Sequence, residues 1–198
     1  MHPTPRLAAA LLAGSGLGWP LLAQADLVED SHASLELRNF YFNRDFRQSG
    51  ARDNADEWAQ GFLLRLESGF SEGTVGFGVD AIGLLGLKLD SGGGSGGTGL
   101  LPADGSAGGS QDDYAKLGLT AKARVSNSLL KVGALHFKSP LVSANDTRLL
   151  PELFCGALLD VQEIDGLTLR GAHLDRNKLN SSSDYQVFSA NRIGGRSD

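Results

Sequence analysis

Between Tyr114 and Val125 apolar and polar residues change places at almost every step. Ala115, Leu117, Leu119, Ala121, Ala123 and Val125 share one parity, and Lys116, Thr120, Lys122 and Arg124 share the other. A period of two sends successive side chains to opposite faces of an extended strand, and no helix produces it. The pattern recurs. Ala33, Leu35 and Leu37 oppose Ser34, Glu36 and Arg38, while Val75, Phe77, Val79 and Ala81 oppose Thr74, Gly76, Gly78 and Asp80. Trp58, Phe62, Leu64 and Leu66 alternate less regularly with Ala59, Gly61, Arg65 and Glu67. Further strands are predicted over 129–138 and 163–175, with a fainter one over 184–191, which makes about seven in an all-β chain.

Strand length narrows the architecture. Several segments run well past the roughly 5–6 residues of an ordinary strand, and a tilted membrane-crossing strand needs about 9–11. Residues 1–25 carry a short basic start (His2, Arg6), an uncharged apolar run from Leu7 to Leu22, and Ala23-Gln24-Ala25, the small-x-small pattern of a signal-peptidase site. Residues 1–25 are therefore expected to be a cleaved signal peptide and 26–198 the exported domain. No later stretch approaches the apolar length of a spanning helix. Export and long strands with one apolar face suit an antiparallel transmembrane β-barrel. A secreted soluble β-sandwich serving binding or adhesion also alternates and is the competing reading. The connections favour the barrel: 69–73 and 126–128 are short turns, whereas 90–113 and 139–162 are long. The first long connection holds much of the glycine excess. The second carries Leu149, Leu150, Leu153, Phe154, Leu158 and Leu159, as a loop folded inward to narrow a pore would need.

Other chemistries are excluded by what is missing. With 18 Lys+Arg against 23 Asp+Glu the net charge is −5, which argues against nucleic-acid binding. A single cysteine, Cys155, allows no internal disulfide and no Cys-rich zinc site, and His2, His32, His136 and His173 form no pair at metal-ligand spacing. No cofactor is expected. Gly92, Gly94 and Gly97 match a dinucleotide fingerprint by letters, and Gly93-x-Ser95-x-Gly97 a nucleophile elbow. Neither precedes a helix, so neither has the geometry its chemistry requires. His136 and His173 read as wall residues, and Cys155 as a small packed side chain.

The run Leu37-Arg38-Asn39-Phe40-Tyr41-Phe42-Asn43-Arg44-Asp45-Phe46 resembles the OprD family of outer-membrane porins. The likeness continues in order through Trp58-Ala59-Gln60-Gly61-Phe62, Gly73-Thr74-Val75-Gly76-Phe77-Gly78-Val79-Asp80 and Gly86-Leu87-Lys88-Leu89-Asp90. It recurs at Asp112-Asp113-Tyr114, Arg148-Leu149-Leu150-Pro151 and Glu163-Ile164-Asp165-Gly166-Leu167. The resemblance implies an eighteen-stranded barrel of porin type for passive uptake of small carboxylate-bearing solutes such as amino acids, peptides or aromatic acids. It further implies contact with outer-membrane lipid and lipopolysaccharide, insertion by the barrel-assembly machinery, and a homotrimer for the complete protein.

The family's selectivity is attributed to a ladder of basic side chains along the pore. Arg44, in the matching Asn-Arg-Asp motif, is the first candidate. Arg38 shares its parity, and Arg52 lies close to where another early rung is expected. By alternation alone Arg65, Lys116, Lys122, Arg124 and Arg170 face the same way, although several of them could simply balance Glu67, Asp80 and other wall acids. Phe40 and Phe42 share the parity of Arg44 and do not fit a uniformly polar pore. A serine-peptidase label has been attached to the family, and His173 falls near the position it would use. No nucleophile, base and orienting group occur together, so the chain reads as a channel and not an enzyme. At about half the family's length, with about seven of eighteen strands and no terminal aromatic strand, it reads as the N-terminal portion of such a porin, short of a closed barrel.

Overall fold

The structure, a computed structural model, describes residues 28–45, 54–90, 96–106 and 108–187. The expected signal peptide (1–25), Arg52, Phe46, Ser95 and 188–191 of the last expected strand lie outside the described residues. Eight strands form one antiparallel sheet in chain order, each hydrogen-bonded to the next. They are β1 (His32–Asp45), β2 (Asn54–Glu67), β3 (Val75–Lys88), β4 (Asp113–Val125), β5 (Ser128–Leu135), β6 (Leu153–Ile164), β7 (Leu167–Lys178) and β8 (Gln186–Val187). β1 to β3 have 14 residues each, longer than the roughly 9–11 that a tilted membrane-crossing strand needs. No helix among the described residues is long and apolar enough to cross a membrane.

The strand expected over 163–175 is corrected in two ways. It is divided by the Asp165–Gly166 turn, where Gly166 has φ +76°, a conformation glycine adopts without a steric penalty. Ahead of that turn, Leu153–Ile164 is a complete strand and not part of a long loop, so the long connection ends at residue 152. Alternation is broken there because Leu153 and Phe154 are both buried and a bulge follows between Cys155 and Gly156. Cys155 therefore sits on a strand, half-buried.

The two faces of the sheet differ. On one, Leu35, Tyr41, Phe77, Leu117, Leu119 and Leu169 are exposed, and register sets Ala33, Leu66, Ala81 and Leu119 in one row across β1 to β4. No second sheet packs on this apolar face among the described residues, so the sandwich arrangement is not met. The opposite face is covered by the chain's own connections. Leu100 and Leu101 from the β3–β4 connection and Leu149 and Leu150 from the β5–β6 connection are buried there. They pack against Ala59, Leu63, Ile82, Leu84 and Tyr114, with Phe40 and Phe42 at the margin. Leu63 thus points to the polar-parity face because two connections supply apolar partners, which explains the imperfect alternation of β2. A second cluster joins Leu135, Ala144, Phe154 and Leu158, with the Phe137 and Phe154 rings 5.7 Å apart.

The connections fall alternately at the two ends of the sheet. Residues 68–74, 126–127 and 165–166 turn the chain at one end, and the long connections 89–112 and 136–152, with 179–185, join strands at the other. Ser126 has φ +51°, unusual for a non-glycine residue. Glu163 of β6 holds this turn by accepting from the Ser126 hydroxyl (2.8 Å), the Asn127 N–H (3.1 Å) and the Ser128 hydroxyl (2.6 Å).

Hydrocarbon against the bare face predicts a cost for charge at its centre. Leu119→Lys, at the middle of β4, should disfavour assembly by about 2–4 kcal/mol. The measurement is the yield of folded, heat-modifiable protein in membrane fractions, and an unchanged yield would remove that face from the lipid.

Candidate functional site

The connection-covered face holds nearly all the cations that parity singles out, and it handles them in three ways. The first is consumption by ion pairs that fix the wall. Arg38 donates through Nε to Glu36 (2.6 Å) and through Nη1 and Nη2 to Asp146 (2.6 and 3.3 Å), with Nη1 also 3.4 Å from the Arg148 carbonyl. Arg65 donates to the other Glu36 oxygen at 3.0 Å. Arg38 and Arg65 are thereby linked through one carboxylate, and Arg38 ties β1 to the β5–β6 connection. A guanidinium gripping a carboxylate at two nitrogens is well suited to such a fixed anchor. Lys122 and Lys131 share Asp80, at 2.6 and 3.3 Å, and the Lys122 ammonium also donates to the Ser68 carbonyl at 2.6 Å. Arg170 pairs with Asp160 at 2.5 and 2.8 Å. The sequence alternative in which cations balance wall acids therefore applies to Arg38, Arg65, Lys122 and Arg170.

The second is burial against backbone, seen at Lys116, which donates to three carbonyl oxygens. The third is stacking on aromatic rings. Arg44, exposed at the end of β1, lies 5.6 Å from the Phe42 ring centre, and Arg148 lies 5.0 Å from the same ring. Arg124 stands 4.3 Å over Phe70 with Lys122 at 4.7 Å, and makes no ion pair among the described residues. Phe42 is therefore an inward residue with a role, where sequence parity had left it unexplained. A guanidinium over an aromatic ring is attracted by the negative face of the ring.

These groups run along the face from one end to the other. Arg44, Arg148 and Phe42 lie toward the long connections; Lys122, Arg124 and Phe70 lie toward the short turns. Between them a cavity of about 370 Å³ is bordered by Arg65, Asp80, Lys131, His136, Asp160 and Arg170. His136 follows the end of β5 and lines this cavity, whereas His173 is exposed on β7 beside Asp175. Among the described residues no three His, Cys, Asp or Glu side chains gather as a metal site.

Arg148, Lys131, Phe70 and Glu57 are the members that sequence reasoning missed. Arg148 and Phe70 lie in connections, where a period of two carries no information, and Lys131 sits among apolar neighbours in a short strand. Glu57 is almost wholly buried on β2. Its Oε2 accepts from the Thr98 N–H (3.1 Å) and from the Thr98 hydroxyl, holding the β3–β4 connection against the sheet.

Comparison with known proteins agrees with this architecture. Residues 25–198 match the model of the outer membrane porin, OprD family. The chain is 41% identical over 188 residues to the porin-like protein GalP of Pseudomonas putida, covering 94% of this chain and 44% of that protein. Among solved structures, Pseudomonas aeruginosa OpdO superposes with a TM-score of 0.71 at 85% identity, covering 89% of this chain and 42% of OpdO. Pseudomonas aeruginosa OpdK, solved with vanillate, superposes with a TM-score of 0.72 at 44% identity, covering 81% of this chain and 39% of OpdK. The chain thus spans less than half the length of the relatives it matches.

Thr98→Val leaves the buried Glu57 carboxylate without its hydroxyl donor. A loss of about 1–3 kcal/mol is expected, read as faster proteolytic cleavage within 96–106; unchanged protection would show that the carboxylate does not hold the connection.

Proposed function

The chain belongs to the OprD family of outer-membrane porins, and from that premise we propose that it forms wall and constriction of a channel for small carboxylate-bearing solutes. Amino acids, peptides and aromatic acids are the solutes in view. The supporting observation is the file of cations on the connection-covered face, running from Arg44 and Arg148 to Arg124, opposite a bare apolar face. OpdK, described with vanillate, is a relative whose named ligand is an aromatic acid anion. A fixed guanidinium attracts a carboxylate in a narrow, partly desolvated passage, and a further one along the path allows it to leave. Arg44, Arg148 and Arg124 are assigned this role. Arg38, Arg65 and Lys122, matched by acids of the wall, shape the local field and hold the wall.

The outer membrane is the family's location. Under this reading residues 1–25 direct export and are cleaved. The long connections face outward and the short turns face the periplasm. The bare face meets lipid, with lipopolysaccharide in the outer leaflet, and the assembly machinery inserts the complete barrel. Three barrels associate as a homotrimer. Strands beyond β1 and β8 close the wall, because an open edge in lipid would leave peptide groups unbonded.

Arg44→Ala or Arg124→Ala, in the complete porin carrying this segment, should slow carboxylate uptake about five-fold, the effect of losing roughly 1 kcal/mol of attraction. Uptake of a neutral solute of equal size should change little. Liposome swelling measures both, and equal losses for the two solutes would remove that arginine from the solute path.

A further inference from the structure

We propose that Lys116, one of the cations parity assigns to the pore, is a positioning residue that sets the bore and does not touch the solute. This inference rests on the porin reading. Lys116 is only 2% exposed. Its ammonium donates to the Pro151 carbonyl at 2.9 Å, the Leu179 carbonyl at 2.6 Å and the Asn180 carbonyl at 3.1 Å. An ammonium has three N–H groups, and three carbonyls take them. None remains for a passing carboxylate.

The geometry gives those bonds a purpose. Pro151 lies near the end of the β5–β6 connection, directly after the buried Leu149 and Leu150; Leu179 and Asn180 open the β7–β8 connection. Tyr114, two residues earlier on the same face, brings its hydroxyl 3.2 Å from the Leu100 carbonyl in the β3–β4 connection and 3.2 Å from the Asn180 carbonyl. Three connections therefore meet over two adjacent side chains of one strand. The Tyr114 ring lies across Gly86, where a Cβ would collide with the ring, so the neighbouring strand leaves room for it. Apolar packing presses Leu100, Leu101, Leu149 and Leu150 onto the sheet but cannot satisfy the backbone between and beyond them. Carbonyls of irregular backbone turned away from water need donors, and β4 supplies these. Without Lys116 the Pro151 and Leu179–Asn180 carbonyls regain partners by moving toward water, which draws the connections off the face and widens the passage.

Lys116→Met keeps the length and apolar stem of the side chain and removes every donor. In the complete porin reconstituted in planar bilayers, it should raise single-channel conductance roughly twofold, since conduction follows pore diameter, and add open-channel current noise from the loosened connections. The carboxylate-over-neutral preference should stay at the unaltered protein's value. Tyr114→Phe removes only one hydroxyl and should give a smaller rise in noise with full assembly, so it carries the test if Lys116→Met assembles poorly. Unchanged conductance and noise in an assembled variant would overturn the proposal. A lower conductance with a reduced carboxylate preference would also overturn it, by placing Lys116 on the solute path. An unaltered channel with no carboxylate preference would overturn the solute reading and leave the conductance effect of Lys116 to be judged on its own.

Discussion

In hydrocarbon a peptide group has no water to bond, so a strand can cross only when each N–H and C=O faces a neighbouring strand. That requirement organises the molecule. Eight strands pair in chain order along one sheet, and each side chain is committed to one face by the pleat. One face then carries leucine, valine and aromatic side chains with nothing over them among the described residues. The other carries nearly every charged side chain of the strands, with the connections folded across it. The same backbone rule acts again within those connections, where no strand neighbour exists and side chains must take over. Glu57 bonds the N–H of Thr98, while Lys116 and Tyr114 bond carbonyls from three connections.

A consequence is a division of labour among cations that look alike along the chain. Arg38, Lys116 and Arg124 share one face, but their surroundings differ. Arg38 is held by Glu36 and Asp146, Lys116 by three carbonyls, and Arg124 rests on an aromatic ring. Burying a charge is costly unless it is bonded, so the two embedded groups are matched by protein and hold the connections against the sheet. Arg124 instead is exposed and lies over the Phe70 ring. Under the proposed function, an exposed arginine such as Arg124 is the kind of group that meets a moving anion.

How much of this was legible depends on where the connections lie. β4 could be read outright because from Ala115 to Val125 its outward residues are all apolar and most of its inward ones polar. β6 could not, since Leu153 and Phe154 are buried in succession and a bulge breaks the register two residues later. Leu63 and Phe42 are apolar at inward positions for the same reason: connections cover that face, so alternation fails where they pack. The parity of the candidate cations was readable, but their partners were not. Asp146 lies 108 residues from Arg38 in sequence, and no local pattern joins them.

The central claim is that one face of this sheet meets hydrocarbon and the other the water of a pore. Nitroxide labels introduced singly through Leu119→Cys, Ala121→Cys, Lys122→Cys and Arg124→Cys, in a Cys155→Ser background of the complete porin in bilayers, test it most directly. Labels at 119 and 121 should be relaxed by oxygen dissolved in lipid, and those at 122 and 124 by a water-soluble nickel complex. Reversed parity, or nickel access at all four positions, would contradict the two-faced wall.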